Sequence, residues 1–168
     1  MKRKELTRTL TLTAMIAAMY AVITVALTSP LSFGTIQFRI AEVLVLLCFY
    51  NKKFCPALML GCFVANLASP LGWYDWVFGT LATAIAVFAI TKIKNIWLAS
   101  LVPAIVNGII VGMELTYLFG EHSFWFNAGC VALGEIAVVT VIGVPLFKFA
   151  EKNPKLMTMI KDGQEIRS

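Results

Sequence analysis

IWLASLVPAIVNGIIVGMELTYLF, residues Ile96 to Phe119, is a run of 24 residues with a single charged side chain, Glu114. About 20 consecutive apolar residues are enough for a helix to cross the hydrocarbon core of a bilayer. Buried in lipid, an isolated Glu114 is costly, so a carboxylate in this run predicts a helix that turns one face to a protein interior. The rest of the chain has the same character. Of 168 residues 60% are hydrophobic and 14% charged, with a mean hydropathy of +0.84. A soluble domain of this length needs far more polar surface.

Working outward from Ile96–Phe119, the apolar runs predict an all-α integral membrane protein of six spans forming a single domain over residues 1–168. The first span covers roughly Thr9 to Thr28 and the second Ile40 to Tyr50, short for a crossing. The third covers Phe54 to Ala68, the fourth Trp76 to Thr91, the fifth Ile96 to Phe119 and the sixth Phe124 to Phe149. Breaks fall at Pro, Gly and Asn clusters such as Ser29-Pro30, Asn51-Lys52-Lys53 and Ser69-Pro70-Leu71-Gly72.

The net charge of +5 is not a nucleic-acid footprint. Thirteen of the 14 basic residues lie in the N-terminal segment, at Lys52 and Lys53, at Lys92 and Lys94, and from Lys148 into the tail. These positions are every second break between spans, which is the positive-inside pattern. It predicts both termini in the cytoplasm of a multi-pass cell-membrane protein. Arg39 is the exception. It stands in Phe33-Gly34-Thr35-Ile36-Gln37-Phe38-Arg39-Ile40-Ala41-Glu42, on the outer side, and this stretch is expected to wall a small-molecule site.

The polar residues within or beside the spans supply the candidate binding set. Arg39 and Glu42 are three apart and share a face if the chain is helical there; they either pair with each other or touch a ligand, with Gln37 beside them. Asn66 closes the third span. Trp73, Tyr74 and Asp75 follow at an outer turn, where aromatics suit an interfacial belt or a ligand box equally. Asn107 and Glu114 lie seven apart on one face of the fifth span. Asn127 and Glu135 lie eight apart on the sixth, and Trp125 precedes them. Set against Arg39, the acids outside the inner segments (Glu42, Asp75, Glu114, Glu121 and Glu135) favour a cationic or donor-rich ligand over an anion. His122, in an outer turn, reads as a solvated histidine.

On the first span, Ala14/Ala18 and Ala17/Ala21 are small-xxx-small pairs that admit a close helix, either within this bundle or from a partner. Cys48, Cys55, Cys62 and Cys130 have no metal-ligand spacing and read as small buried hydrophobes. No nucleophile–base order, metalloprotease motif or phosphate loop is present. An enzyme is therefore not expected, nor a metal or cofactor. Uphill transport would draw on an ion gradient or on a partner.

The QFRIAE segment, Gln37 to Glu42, together with Gly61-Cys62-Phe63-Val64-Ala65-Asn66, Ser69-Pro70-Leu71-Gly72, Asp75 and Phe78-Gly79-Thr80-Leu81-Ala82-Thr83, resembles the QueT family. These are the substrate-binding (S) components of energy-coupling factor (ECF) transporters for queuosine precursors. The resemblance implies an S-component-like six-helix bundle that pairs with a transmembrane coupling subunit and two cytoplasmic ATPases. It implies that Ala14 and Ala18, with Ala17 and Ala21, face the coupling subunit. It also implies a deazaguanine such as preQ1, preQ0 or queuine as the solute, taken from outside and delivered inward. On that reading Glu114 or Glu135 would accept the adjacent N–H donors of the ring, Asn107 or Gln37 would donate to its carbonyl, and an aromatic would stack on it. An S component for another small nutrient, a stand-alone ion-coupled carrier and an assembly subunit are the competing expectations.

Overall fold

The computed structural model describes residues 3–27, 38–120 and 123–161. Gln37, with Phe33 to Ile36 before it, lies outside the described residues, as do Glu121 and His122. Seven helices account for nearly all of what is described, and no strand occurs among these residues. α1 is Arg3–Val22, continued by a wide π-wound turn at Ile23–Leu27. α2 is Ile40–Tyr50, wound as a 3-10 helix over Ile40–Leu46 and as an α-helix over Leu47–Tyr50. α3 is Cys55–Asn66. α4 is Asp75–Ile90, opening with a π-wound Asp75–Gly79. α5 is Ile96–Phe119. α6 is Phe124–Glu151, π-wound over Ile136–Gly143. α7 is Pro154–Lys161.

Local chemistry sets these boundaries. The Asn95 side chain accepts a bond of 2.9 Å from the backbone N–H of Trp97 and so caps the start of α5. Gly120, at φ 63°, ends the same helix in the left-handed region that L side chains rarely adopt. Asn153 caps α7 through the N–H groups of Lys155 and Leu156, with Pro154 at the first helical position. The fixed φ of Pro154 suits that place.

Three stretches are long and apolar enough to cross a membrane: Thr9–Ala26, Ile96–Leu118 and Phe124–Glu151. Ile40–Tyr50 and Asp75–Ile90 are shorter apolar helices. The sides of these helices confirm the solvent they are built for. On α5, Leu98, Ile105, Ile109 and Met113 are all about half exposed or more, spaced seven, four and four apart on one stripe. Asn107 and Glu114 are buried on the opposite face. An apolar outside around a polar inside is the arrangement of a multi-pass membrane protein.

α5 and α6 form the most extensive helix pair, and they meet backbone to backbone. A Cβ on Gly112 would stand 2.8 Å from the Cα of Ala128, and one on Gly108 would stand 3.2 Å from the Ala128 carbonyl oxygen. Backbone cannot swing away as a side chain can. Gly112→Ala is therefore expected to lower stability by about 1–3 kcal/mol, whereas Gly129→Ala, with open space around it, should leave the melting temperature unchanged. Thermal unfolding in detergent compares the two, and equal stability would rule out the close approach.

α1 is peripheral, with only 17% of Thr9–Ala26 buried. Its inner face is Ala17, Tyr20 and Thr24, packed chiefly on α3, where Gly61 leaves room for Tyr20. Ala21 is half-buried against the core, and Ala14 and Ala18 are exposed. The expected partner-facing set is thus divided: Ala17 is occupied by this bundle's own α3. One element was missed altogether. The sequence predicts only a basic tail after the sixth span, but Pro154–Lys161 is a helix seated on the bundle through buried Met157.

Candidate substrate site

Four of the buried polar side chains, all acids, gather around Arg39. This residue stands at the N-terminal boundary of α2, 3% exposed, and its Nη2 lies 3.4 and 3.5 Å from the two carboxylate oxygens of Asp75. Asp75 opens α4, where a negative charge also favours the helix dipole. It is fixed from a third side by Ser69, whose hydroxyl donates to its Oδ2. Asn66, at the end of α3, donates from Nδ2 to the Asp75 backbone carbonyl at 2.9 Å. Gly79 makes space for that amide, since a Cβ there would lie 2.7 Å from Nδ2. Gly72 turns the chain between the two helices at φ 61°. Asn66, Ser69, Gly72, Asp75 and Gly79 are therefore one hydrogen-bonded knot that holds Asp75 against the guanidinium.

Glu42 does not depend on Arg39 for a partner. Its Oε1 accepts the hydroxyl hydrogen of Tyr20 from α1, while its Oε2 has no partner among the described residues. Glu135 accepts a 2.6 Å bond from Asn107 Nδ2 through Oε1, and its Oε2 is likewise unpartnered. Glu114, buried to 5% exposure, has neither oxygen partnered among the described residues. Glu114 is within electrostatic reach of Asp75 and Arg39, and Glu135 of Glu42 and Arg39. The four acids thus belong to one neighbourhood, in which Arg39 is the one buried basic residue among those described. Asp75 balances Arg39. Three carboxyl groups remain, with four buried oxygens that have no partner among the described residues. A buried acceptor left unmade costs on the order of 1–3 kcal/mol. A donor that reached these oxygens would recover that cost.

Two of the wide turns begin at these acids: Asp75 opens the π-wound start of α4, and the π-wound stretch of α6 begins immediately after Glu135. Such turns insert an extra residue and re-aim the side chains around them, and they recur at functional sites.

Of the sequence-derived candidates, the fold brings together Arg39, Glu42, Asn66, Asp75, Asn107, Glu114 and Glu135. Asn127 is buried but spent on Thr116 Oγ1 at 2.9 Å, tying α6 to α5. Trp73 and Tyr74 stack on one another at 4.0 Å, with Tyr74 6.2 Å from Tyr117. This aromatic group sits over the end of the bundle that carries Asp75, with Trp73 and Tyr117 largely exposed. Trp125, 81% exposed, is outside the buried cluster. Sequence reasoning missed Tyr20 and Ser69. Tyr20 is the one phenol within the first span, and Ser69 stands six residues before Asp75 in a turn where its proline neighbour drew the attention.

A multi-pass helical membrane protein with an acceptor-rich interior is the frame of a transporter's solute site. Residues 10–152 match the family described as QueT transporter. The curated "Queuosine precursor transporter QueT" of Lactococcus lactis subsp. cremoris (strain MG1363) is 30% identical over 150 residues, covering 80% of this chain and 88% of that protein. The chain belongs to the QueT transporter family. No solved structure matches it.

Proposed function

We propose that this protein is the substrate-binding subunit of an ECF-type importer and that it captures a queuosine precursor, a deazaguanine such as preQ1, preQ0 or queuine, on the outer side of the cell membrane. The observation that carries the substrate reading is the set of three buried carboxyl groups with unpartnered oxygens, in a chain whose curated relative is named for queuosine precursors. A deazaguanine presents adjacent N–H donors on its pairing edge, and a carboxylate accepts two of them in a fork. Glu114, with both oxygens open, takes that role. Glu135, oriented by Asn107, and Glu42, oriented by Tyr20, supply further acceptors, and a protonated aminomethyl group suits one of them. Arg39 is neutralised by Asp75 and shapes the wall. Tyr74 and Trp73 offer a stacking surface at the outer mouth, and Gln37, two residues before Arg39 in sequence, is a further donor.

Six spans with cytoplasmic termini fit the placement of the lysines, with α2, α3 and α4 as short or tilted crossings. The exposed Ala14 and Ala18 on peripheral α1 provide the close-approach face for a coupling subunit, and ATPase partners supply the energy that this chain's motifs do not. The test is to purify the protein from cells, release its bound solute and identify it by mass spectrometry, then to measure uptake in vesicles with and without the ATPase subunits. A deazaguanine recovered and uptake that requires the ATPases is the expected pair of results. Uptake by the chain alone would replace this reading with an ion-coupled carrier.

A further inference from the structure

Opposite the carboxylate cluster, at the lysine-bearing end of the bundle, lies a cleft of about 570 Å³. Lys52 reaches it from the α2–α3 turn, Lys92 and Lys94 from the α4–α5 turn, Lys148 from α6 and Lys161 from the end of α7. The one acid in its wall, Glu151, is already held by Lys148 at 3.1 Å and by the Tyr50 hydroxyl at 3.0 Å. Positive charge on this side follows from membrane topology. Topology does not require five lysines from four segments to line one concavity, four of them with no carboxylate beside them in its wall. Like charges gathered this way repel one another unless an anion joins them.

The rest of the wall indicates which anion. Trp97, half exposed, stands beside the lysines, and Phe49, Ile93 and Ile96 line the same cleft. Trp is the residue that settles at headgroup level. α7 closes one side, tied down by a 3.0 Å bond from Asn51 Nδ2 to the Ile160 carbonyl, and it leaves Leu156 and Met159 exposed on its outer face. A short helix with an exposed apolar face suits the plane of a membrane interface. Cation groups above and apolar surface below match a molecule with a phosphate at one end and hydrocarbon at the other.

We propose that this cleft is a binding site for the headgroup of an anionic phospholipid, with its phosphate among Lys52, Lys92, Lys94 and Lys161 and its acyl chains leaving past Trp97. Basic pockets between membrane helices recognise acidic headgroups in this way. The assignment does not depend on which solute the carboxylate cluster takes.

The test is thermal unfolding of the full chain in detergent with three additions: phosphatidylglycerol, phosphatidylcholine of the same acyl chains, and inorganic phosphate. Phosphatidylglycerol is expected to raise the midpoint by about 5 °C, with the other two giving less than about 1 °C. The variant Lys92→Gln/Lys94→Gln, altered only on an exposed turn, should lose at least half of that rise, and native mass spectrometry should show one retained phosphatidylglycerol on the wild type and none on the variant. An equal rise with phosphatidylcholine would overturn the proposal, as would an equal rise with free phosphate, which would make the cleft a small-anion site. A full response in the double variant, or no response to any addition, overturns it as well.

Discussion

Arg39→Ala is expected to destabilise the protein by about 3–5 kcal/mol, because it strands Asp75 as a buried charge. Asp75 is wholly buried and receives bonds from Arg39 and Ser69 within a knot that also fixes Asn66 and Gly79. None of those neutral donors can replace a full positive charge. Asp75→Asn should cost less than Arg39→Ala, since the amide still accepts from Ser69 and leaves the guanidinium near Glu42, Glu114 and Glu135. The double variant Arg39→Ala/Asp75→Ala should be less unstable than the sum of the two alanine variants, the expected result when two groups share one interaction. Chemical or thermal unfolding of the four proteins in detergent closes this cycle. Strict additivity would mean that the ion pair carries no coupling.

Glu114→Gln should move binding and stability in opposite directions. Deazaguanine affinity is expected to fall roughly 30- to 1000-fold, about 2–4 kcal/mol, since a neutral amide cannot accept two N–H groups in a fork. Stability without ligand should hold or rise, since an unpartnered buried carboxyl gives way to a neutral group. Glu135→Gln should weaken binding less, because Oε1 of Glu135 already serves Asn107 and one oxygen alone is open. Isothermal titration and a melting curve on the same preparations read both quantities. Unchanged affinity in both variants would remove the carboxylate fork.

The parts of this protein that depend on adjacency in sequence were legible before the fold was known. The limits of α5 and α2 follow from largely apolar runs bounded by Asn95 and Gly120 or by Asn51, and the seven-residue spacing of Asn107 and Glu114 put both on the inward face. Contacts between distant segments were not legible. Arg39 has a carboxylate three residues away and one 36 residues away, and spacing alone favoured the near one; the ion pair at 3.4 Å is to the distant Asp75. Tyr20 and Glu42 meet only because Gly61 lets α1 close on α3. Ala17 and Ala18 are neighbours in sequence with opposite fates, one buried and one exposed, which the alanine spacing could not divide. α7 was missed for another reason: its apolar residues are too few to form a run, and its evidence is a face rather than a stretch.

The backbone contact between α5 and α6 bears on how the chain enters the membrane. These two helices are consecutive and are the longest apolar pair in the described chain. Because they are consecutive, their close approach at Gly108 and Gly112 requires no other segment. The Asn107–Glu135 bond lies within that pair, so the buried acid of α6 finds its hydrogen-bond donor on the adjacent helix in sequence. Arg39 and Asp75 have no such escort. They stand at the starts of shorter helices, and each depends on the other to settle in a medium that favours neither. The two parts thus differ in what they need from the rest of the chain: an apolar hairpin whose Asn107 and Glu135 pair within it, and short polar-ended helices whose charges are matched only across the bundle.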